Sequence, residues 1–545
     1  MIGTSIPEYV FIRICIVLVQ YTTPLCIACL ALLAAVRGSW AAALRHHPII
    51  TASLLAYCTV DVLYAVFLYL PHARRLKEAA EHPPPLEREE RRALFQRCFA
   101  NVPDVRRYLQ MWFLGADEAD IRRDNVHDFI LWAFFDSWPG RESEGDDAEL
   151  EEYIDIVEKR LGRKLEPGRG KAEGLRLTLD EVGTQYRSVA WYLAVGVVDF
   201  ASHCLLAHGG FHYHAQPAST ILSLIPPRFQ DMFTRRRSES DGISYWHRPH
   251  TATDKLPVLF LHGIGIGLYT YAAFLTRLNS TPGVQNGDGQ IGIIATENLP
   301  ISFRLTGTPL SRLEFLERIA TILDAHGWDR FVLASHSYGS VLATHMLRSE
   351  NLTDRIAAVV LVDPVTILLH LPDVAYNFTR RPPKKANEWQ LWYFASMDPG
   401  VAYCLGRHFF WKDNIVWKEE LLGVAGGAPT GVVGGANDRR IQTNAARPPR
   451  KVAVCLAERD LIVDTPKIAQ YLAAAGDEWV VAPGPAGRRG SSPWEWSVNQ
   501  DGGSHLTPDG IELLWCRGLD HAQVFDTKEN QDRLCSVIRR FCSIE

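Results

Sequence analysis

Two long apolar runs open the chain, and nothing later in the sequence repeats their pattern. Residues 14–36 hold no Asp, Glu, Lys or Arg, with Arg13 and Arg37 at the borders. Residues 49–70 hold a single charge, Asp61, near the middle, and Pro48 and Pro71 flank them. A helix needs about 20 residues to cross the hydrocarbon layer of a bilayer. The pattern predicts an N-terminal transmembrane hairpin over residues 1–73. A carboxyl is costly in lipid, so Asp61 requires a partner or a proton. A third run, 189–207, carries Asp199 and His203 and predicts a buried or membrane-lying helix rather than another crossing.

Past the hairpin the apolar positions take up helical spacing. Residues 74–244 read as a mostly helical linker and accessory region. Residues 102–138 and 146–161 carry the helical period, the latter through Leu150, Tyr153, Ile154 and Val157. Residues 165–175 read as a loop, and 221–233 as an amphipathic stretch followed by Arg235, Arg236 and Arg237. From residue 245 the pattern changes again. Short apolar runs at 256–261, 291–296, 331–334, 357–362, 452–456 and 479–481 alternate with helical segments such as 310–326. That alternation predicts an α/β domain with a mostly parallel sheet over residues 245–545. The interval 365–450 is too long for a simple connection. Its first half is aromatic (Trp389, Trp392, Tyr393, Phe394, Trp411, Trp417) and predicts a helical cap; residues 423–435 are a glycine-rich loop.

Composition narrows the partners. The net charge of −5 over 545 residues argues against a general nucleic-acid binder. The eleven cysteines show neither a zinc-site pattern nor a dense disulfide framework. Arg13 before the hairpin and Arg74, Arg75 and Lys77 after it lean the chain toward a cytosolic N-terminus and a cytosolic catalytic domain.

The densest chemistry lies in residues 331–340, FVLASHSYGS. An apolar strand runs into Ser335-His336-Ser337-Tyr338-Gly339 and then into a small-residue helix. A sharp strand-to-helix turn needs small neighbours, and it leaves Ser337 presented at the strand's end. Ser335 stands where Gly is commonest in such turns. A serine hydroxyl needs a base within reach and an acid to orient that base. Asp460, in CLAERDLIVD, and His521, in GLDHAQVFD, follow in the order nucleophile, acid, base. Asp363, at the end of the next strand, is the alternative acid, and Asp464 the third candidate. After the strand 256–261 the sequence reads HGIGIG. Its Ile264 N–H and the Tyr338 N–H are the candidate oxyanion donors, with His262, Gly263 and Gly265 supporting the loop. His336 is read as lying outside the relay.

Together these motifs resemble the α/β-hydrolase superfamily in its cap-bearing branch. The hairpin and helical lead-in resemble fungal membrane-associated serine hydrolases, esterase- or lipase-like. The resemblance implies an α/β-hydrolase fold with a helical cap behind a transmembrane hairpin. It also implies a membrane-bound esterase acting on a hydrophobic ester or lipid, with no metal or organic cofactor. Acyl transfer and amide or thioester cleavage would use the same triad, and a catalytically inactive scaffold is the non-enzymatic alternative.

Overall fold

The computed structural model describes residues 2–35, 48–140, 146–279, 289–424, 449–474 and 504–544. The predicted strand at 479–481, most of the glycine-rich segment 423–435 and most of the loop 483–508 lie outside them.

Among the described residues three helices are long and apolar enough to cross a membrane by length and composition: Ile6–Ala35, Pro48–Arg75 and Val189–His208. The first two pack on each other as the predicted hairpin. Asp61 is fully buried, accepting hydrogen bonds from Thr23 Oγ1 and, at 2.7 Å, from the Val189 N–H. Its carboxyl thus has protein partners. Cys26 and Cys29 form a Cys-x-x-Cys spacing inside the first helix, where both are free thiols.

The lead-in is helical but more broken than its periodicity suggests. Residues 102–138 form two helices, Val105–Trp112 and Arg123–Phe135. Leu114 and Gly115, both at positive φ, turn the chain between them. The stretch 221–233 is likewise split, into Ala218–Ser223 and Gln230–Phe233. Pro226 and Pro227 lie between the two pieces, and a proline lacks the N–H that would continue a helix.

Among the described residues nine strands form one sheet in the order β1-β2-β4-β3-β5-β6-β7-β9-β8, numbered along the chain. The central strands are β3 (Val258–Leu261), β4 (Ile293–Glu297), β5 (Phe331–His336), β6 (Ile356–Val362), β7 (Lys451–Ala457) and β9 (Ile511–Cys516). All six pair in parallel. They are almost wholly buried, which is why they read as continuous apolar runs. Antiparallel strands close both edges: β1 (His212–His214) with β2 (Ser244–Arg248) at one, β8 (Ser504–Leu506) at the other. Helix Arg312–Ala325 starts at a capping box in which Ser311 Oγ accepts from the Glu314 N–H and Glu314 accepts from the Ser311 N–H. Between β6 and β7 the described chain forms a helical layer that includes Pro372–Thr379, Ala386–Gln390 and Pro399–Arg407. Ile12 and Ile16 of the first apolar helix pack onto this layer at Ala386 and Tyr393.

Candidate active site

Ser337 sits between β5 and helix Gly339–Leu347 with φ of +50°. A non-glycine residue in the left-handed region is strained, and such strain clusters where the surrounding structure imposes it. Here the Ser337 N–H donates to Val362 O (2.9 Å), and Ser337 O accepts from the Ser340 N–H (2.9 Å). The turn is tight enough to dictate its neighbours. A Cβ on Gly339 would lie 2.2 Å from Leu261 O, and one on Gly263 would lie 2.8 Å from Ser337 Cβ. The glycines at 263 and 339 therefore allow the HGIGIG loop to press against the serine turn.

Three distant side chains meet at this turn. Ser337 Oγ lies 2.8 Å from His521 Nε2, and His521 Nδ1–H donates to Asp460 Oδ2 at 2.6 Å. The Asp460 side chain is fully buried, and its Oδ1 accepts from the N–H groups of Ile462 (2.7 Å) and Val463 (3.1 Å). Burial opposes a charge on His521, but the Asp460 carboxylate, helped by Asp363 and Asp520, outweighs it and pushes the imidazole up to about 9.

The other candidates take different places. Asp363 is buried at the end of β6 and bonds to backbone. It accepts from the Ala457 N–H and the Ala522 N–H, both at 2.9 Å. It ties the end of β7, which leads to Asp460, to the residue after His521. Burial pushes its carboxyl up to about 7. Asp464 caps helix Thr465–Ala473 by accepting from the Lys467 N–H. His336 is buried, with Nδ1 2.8 Å from the Tyr271 hydroxyl, and burial holds its imidazole well below the usual range. His262 Nε2 accepts from the Asn298 N–H (2.9 Å), so its proton is on Nδ1, which donates to Gly263 O (2.7 Å). That pair of bonds holds the start of the HGIGIG loop. The Gly263 N–H donates to the Tyr271 hydroxyl (3.2 Å), and the Gly265 N–H to Ile301 O (3.2 Å). Among the described residues neither the Ile264 N–H nor the Tyr338 N–H has a protein acceptor.

Two neighbours of the relay escaped the motif reading. Asp520 Oδ1 accepts from the Leu461 N–H (3.0 Å) and the His521 N–H (2.8 Å), and its Oδ2 accepts from Asn387 Nδ2 (2.6 Å). One carboxylate thus joins the Asp460 loop, the His521 loop and the helical layer. Asp520 was visible as the residue before His521; nothing local marks Asn387. A cavity of about 760 Å³ lies beside Tyr338 and Leu342, bounded by Leu299, Leu310 and Cys404; Ser337 and His521 do not line it.

Two groups of ligand-type side chains occur among the described residues. Asp363, Asp460 and His521 are already engaged by the bonds above. His214, His247 and His326 cluster by the β1–β2 edge, where the Tyr245 hydroxyl lies 2.9 Å from both His214 Nδ1 and His326 Nε2.

Residues 257–398 match the family described as alpha/beta hydrolase fold. No curated protein matches the sequence. Similar solved structures include a membrane phospholipase A described as a bacterial virulence factor, 12% identical with a TM-score of 0.32, covering 64% of this chain and 96% of that one. The naproxen esterase of Bacillus subtilis is 10% identical with a TM-score of 0.34, covering 63% and 98%. A carboxylesterase structure from Nitrososphaera gargenis is 12% identical with a TM-score of 0.30, covering 55% and 95%. The family match, the strand order and the serine turn after β5 together make this an α/β-hydrolase fold.

Proposed function

We propose that this chain is a membrane-anchored serine hydrolase that cleaves a carboxylic ester of acyl or lipid character through an acyl-enzyme. The observation that carries the reading is the unbroken line from Asp460 through His521 to Ser337 at a positive-φ turn. Ser337 Oγ attacks the ester carbonyl while His521 Nε2 takes its proton. The oxyanion faces the N–H groups of Ile264 and Tyr338, which no acceptor among the described residues occupies. Collapse expels the alcohol with the proton from His521. Water then attacks the acyl-enzyme with His521 again as base, releasing the acid and restoring Ser337. In this reading residues 1–73 are the anchor, 74–244 an accessory region and 245–545 the catalytic domain, with 365–450 as cap and the basic flanks of the hairpin on the cytosolic side. The likeness to fungal membrane-associated hydrolases belongs to this proposal.

A fluorophosphonate probe tests it. Wild type is expected to label and Ser337→Ala not to label, with both proteins folded. Equal labelling of the two would remove Ser337 from the chemistry. A panel of acyl-glycerols, lysophospholipids and short soluble esters then reads the substrate class, and turnover of soluble esters alone would overturn the lipid assignment.

The pH profile follows from the raised imidazole. Only neutral His521 can accept the serine proton, so kcat/KM rises as pH passes through its pKa. With that pKa pushed to about 9, the acid limb lies well above neutrality. Asp460→Asn removes the carboxylate that stabilises the imidazolium and moves the limb down. The measurement is kcat/KM on a pH-stable ester from acid to alkaline pH. A wild-type limb at the ordinary histidine value of about 6.5 would contradict the coupling.

A further inference from the structure

The edge pair β1 and β2 gathers imidazole groups on one face. Residues two apart on a strand share a face, so His212 and His214 of β1 lie on one side, as do Tyr245 and His247 of β2. The register sets His212 opposite His247 and His214 opposite Tyr245. A third element closes on this face. Helix Arg312–Ala325 ends at His326. The His326 ring centroid lies 4.0 Å from that of His247 and 5.6 Å from that of His214, and the His214 and His247 centroids are 5.9 Å apart. With one nitrogen taken from each of these three rings, the atoms all lie within 4.8 Å of one another. Zinc–nitrogen bonds are about 2.0–2.1 Å long, so nitrogens sharing a tetrahedral ion stand about 3.4 Å apart. His247 and His326 are half-buried and have room to turn toward that spacing.

The hydrogen bonds leave ligand capacity over. The fully buried Tyr245 hydroxyl sits 2.9 Å from both His214 Nδ1 and His326 Nε2, and it donates to the Glu239 carboxylate. His214 Nδ1 also lies 3.3 Å from Arg237 O. His214 Nε2 is buried with no hydrogen-bond partner, and the His247 ring makes no hydrogen bond among the described residues. A ring with one nitrogen held by a hydrogen bond and the other free is the usual state of a metal-ligating histidine. Glu239 Oε2, 3.5 Å from His214 Nδ1, brings a carboxylate to the rim. It offsets the charge of the exposed Arg236, which acts on the same rings.

We propose that His214, His247 and His326 bind one zinc ion through a nitrogen each, with the Glu239 carboxylate as fourth ligand and Tyr245 orienting the rings. Imidazole nitrogen suits zinc, whereas magnesium and calcium take oxygen sets. Four protein ligands leave no open position, so the ion is structural. His214 belongs to a three-residue edge strand, His247 to its neighbour and His326 to the end of a helix. One ion thus staples the sheet edge to the helix that leads into β5. His326 precedes β5 and Ser337 follows it, so the six residues of that strand stand between the ion and the serine turn. The proposal does not depend on the serine chemistry.

Zinc uptake by the tag-free full chain in detergent, stripped with a chelator and then equilibrated with zinc chloride, tests it. Wild type is expected to retain one equivalent through gel filtration. His247→Ala and His326→Ala are expected to weaken binding by about 100-fold or more, since losing even a group behind a ligand costs about 10–100-fold. His505→Ala, on the opposite edge strand β8, should keep the wild-type affinity. Cobalt(II) in place of zinc should give the intense visible absorption of a tetrahedral site in wild type and not in the two cluster variants. Zinc should raise the melting temperature of wild type and leave theirs unchanged. A wild type that takes up no zinc would overturn the proposal. Uptake unchanged in His247→Ala and His326→Ala would place the ion elsewhere and overturn it too. If those variants fail to fold, the cobalt spectrum of wild type decides alone, and a weak octahedral band would overturn the proposal.

Discussion

His521→Ala is expected to lower kcat on a short soluble ester by about 10,000-fold or more while leaving the fold intact. Without that imidazole, 2.8 Å from Ser337 Oγ, the hydroxyl has nowhere to send its proton. His336 cannot substitute. It is buried, its Nδ1 is engaged by Tyr271, and its Nε2 lies 3.9 Å from Asp363, on the side away from that bond. Asp460→Asn is expected to cost up to about 10,000-fold by a different route. Oδ1 at this position accepts two N–H groups, so an asparagine would keep its oxygen there and present its NH2 to His521 Nδ1. That favours the tautomer with the proton on Nε2, which cannot accept from serine. The double variant Ser337→Ala/His521→Ala should be no slower than either single one, because the groups act as a unit. Steady-state rates with circular dichroism as the folding control decide the matter. His521→Ala within tenfold of wild type would remove it from the relay.

Asp363 and Asp460 differ in what their carboxylates bond. By sequence Asp363 competes with Asp460, since both follow strands of the same sheet. Its two oxygens are spent on the Ala457 and Ala522 N–H groups, which border the acid and base loops. A buried donor left without an acceptor costs about 1–3 kcal/mol. Asp363 satisfies two such donors, and Asp520 satisfies two more around the same loops. The loops that carry Asp460 and His521, the proposed acid and base, are thus held by backbone bonds to the Asp363 and Asp520 carboxylates. The Asn387–Asp520 bond extends that frame into the helical layer, which in turn packs on the first apolar helix.

What the sequence disclosed follows from how local each signal is. The serine turn is a contiguous motif, because its constraints act between adjacent residues and the loop they touch. Asp460 and His521 were legible only through chain order and strand ends, and β6 and β7 were legible because fully buried parallel strands are unbroken apolar runs. Strand β1 has three residues, His212–His214, too few to show a period. Strand β9 carried a usable signal: Asp509-Gly510, with Gly510 at φ of +86°, turns the chain from β8 into β9. Its proximity to a Gly- and Pro-rich segment hid it. Asn387 and Asp520 are far apart in the chain, and no periodicity links them. Nothing local in the sequence marks Arg228 and Arg304 as interior, because only the fold reveals Asp199 and Glu297 beside them.

Gly339→Ala is expected to damage both stability and rate, whereas Ser335→Ala, four residues earlier, is expected to be harmless. The Cβ added at 339 would meet Leu261 O at 2.2 Å, Leu261 C at 2.8 Å and His262 O at 3.1 Å. All three are backbone atoms, so no side-chain rotation relieves the clash. Relief requires β3 and the loop after it to move away from the serine turn, at about 1–3 kcal/mol for overpacking. That movement displaces the Ile264 N–H from the reacting carbonyl, and misplacement by about 1 Å costs about 100-fold in rate. Ser335 occupies the position where such turns commonly carry glycine, and the structure already accommodates its Cβ, paired in register with Leu261. Its hydroxyl is buried without a hydrogen-bond partner among the described residues. Removing it relieves an unsatisfied polar group, so Ser335→Ala should melt at or above the wild-type temperature and keep its kcat within about twofold. Thermal denaturation and steady-state kinetics on the two variants side by side are the measurement. A Gly339→Ala enzyme with wild-type stability and rate would mean that the turn is not packed against β3.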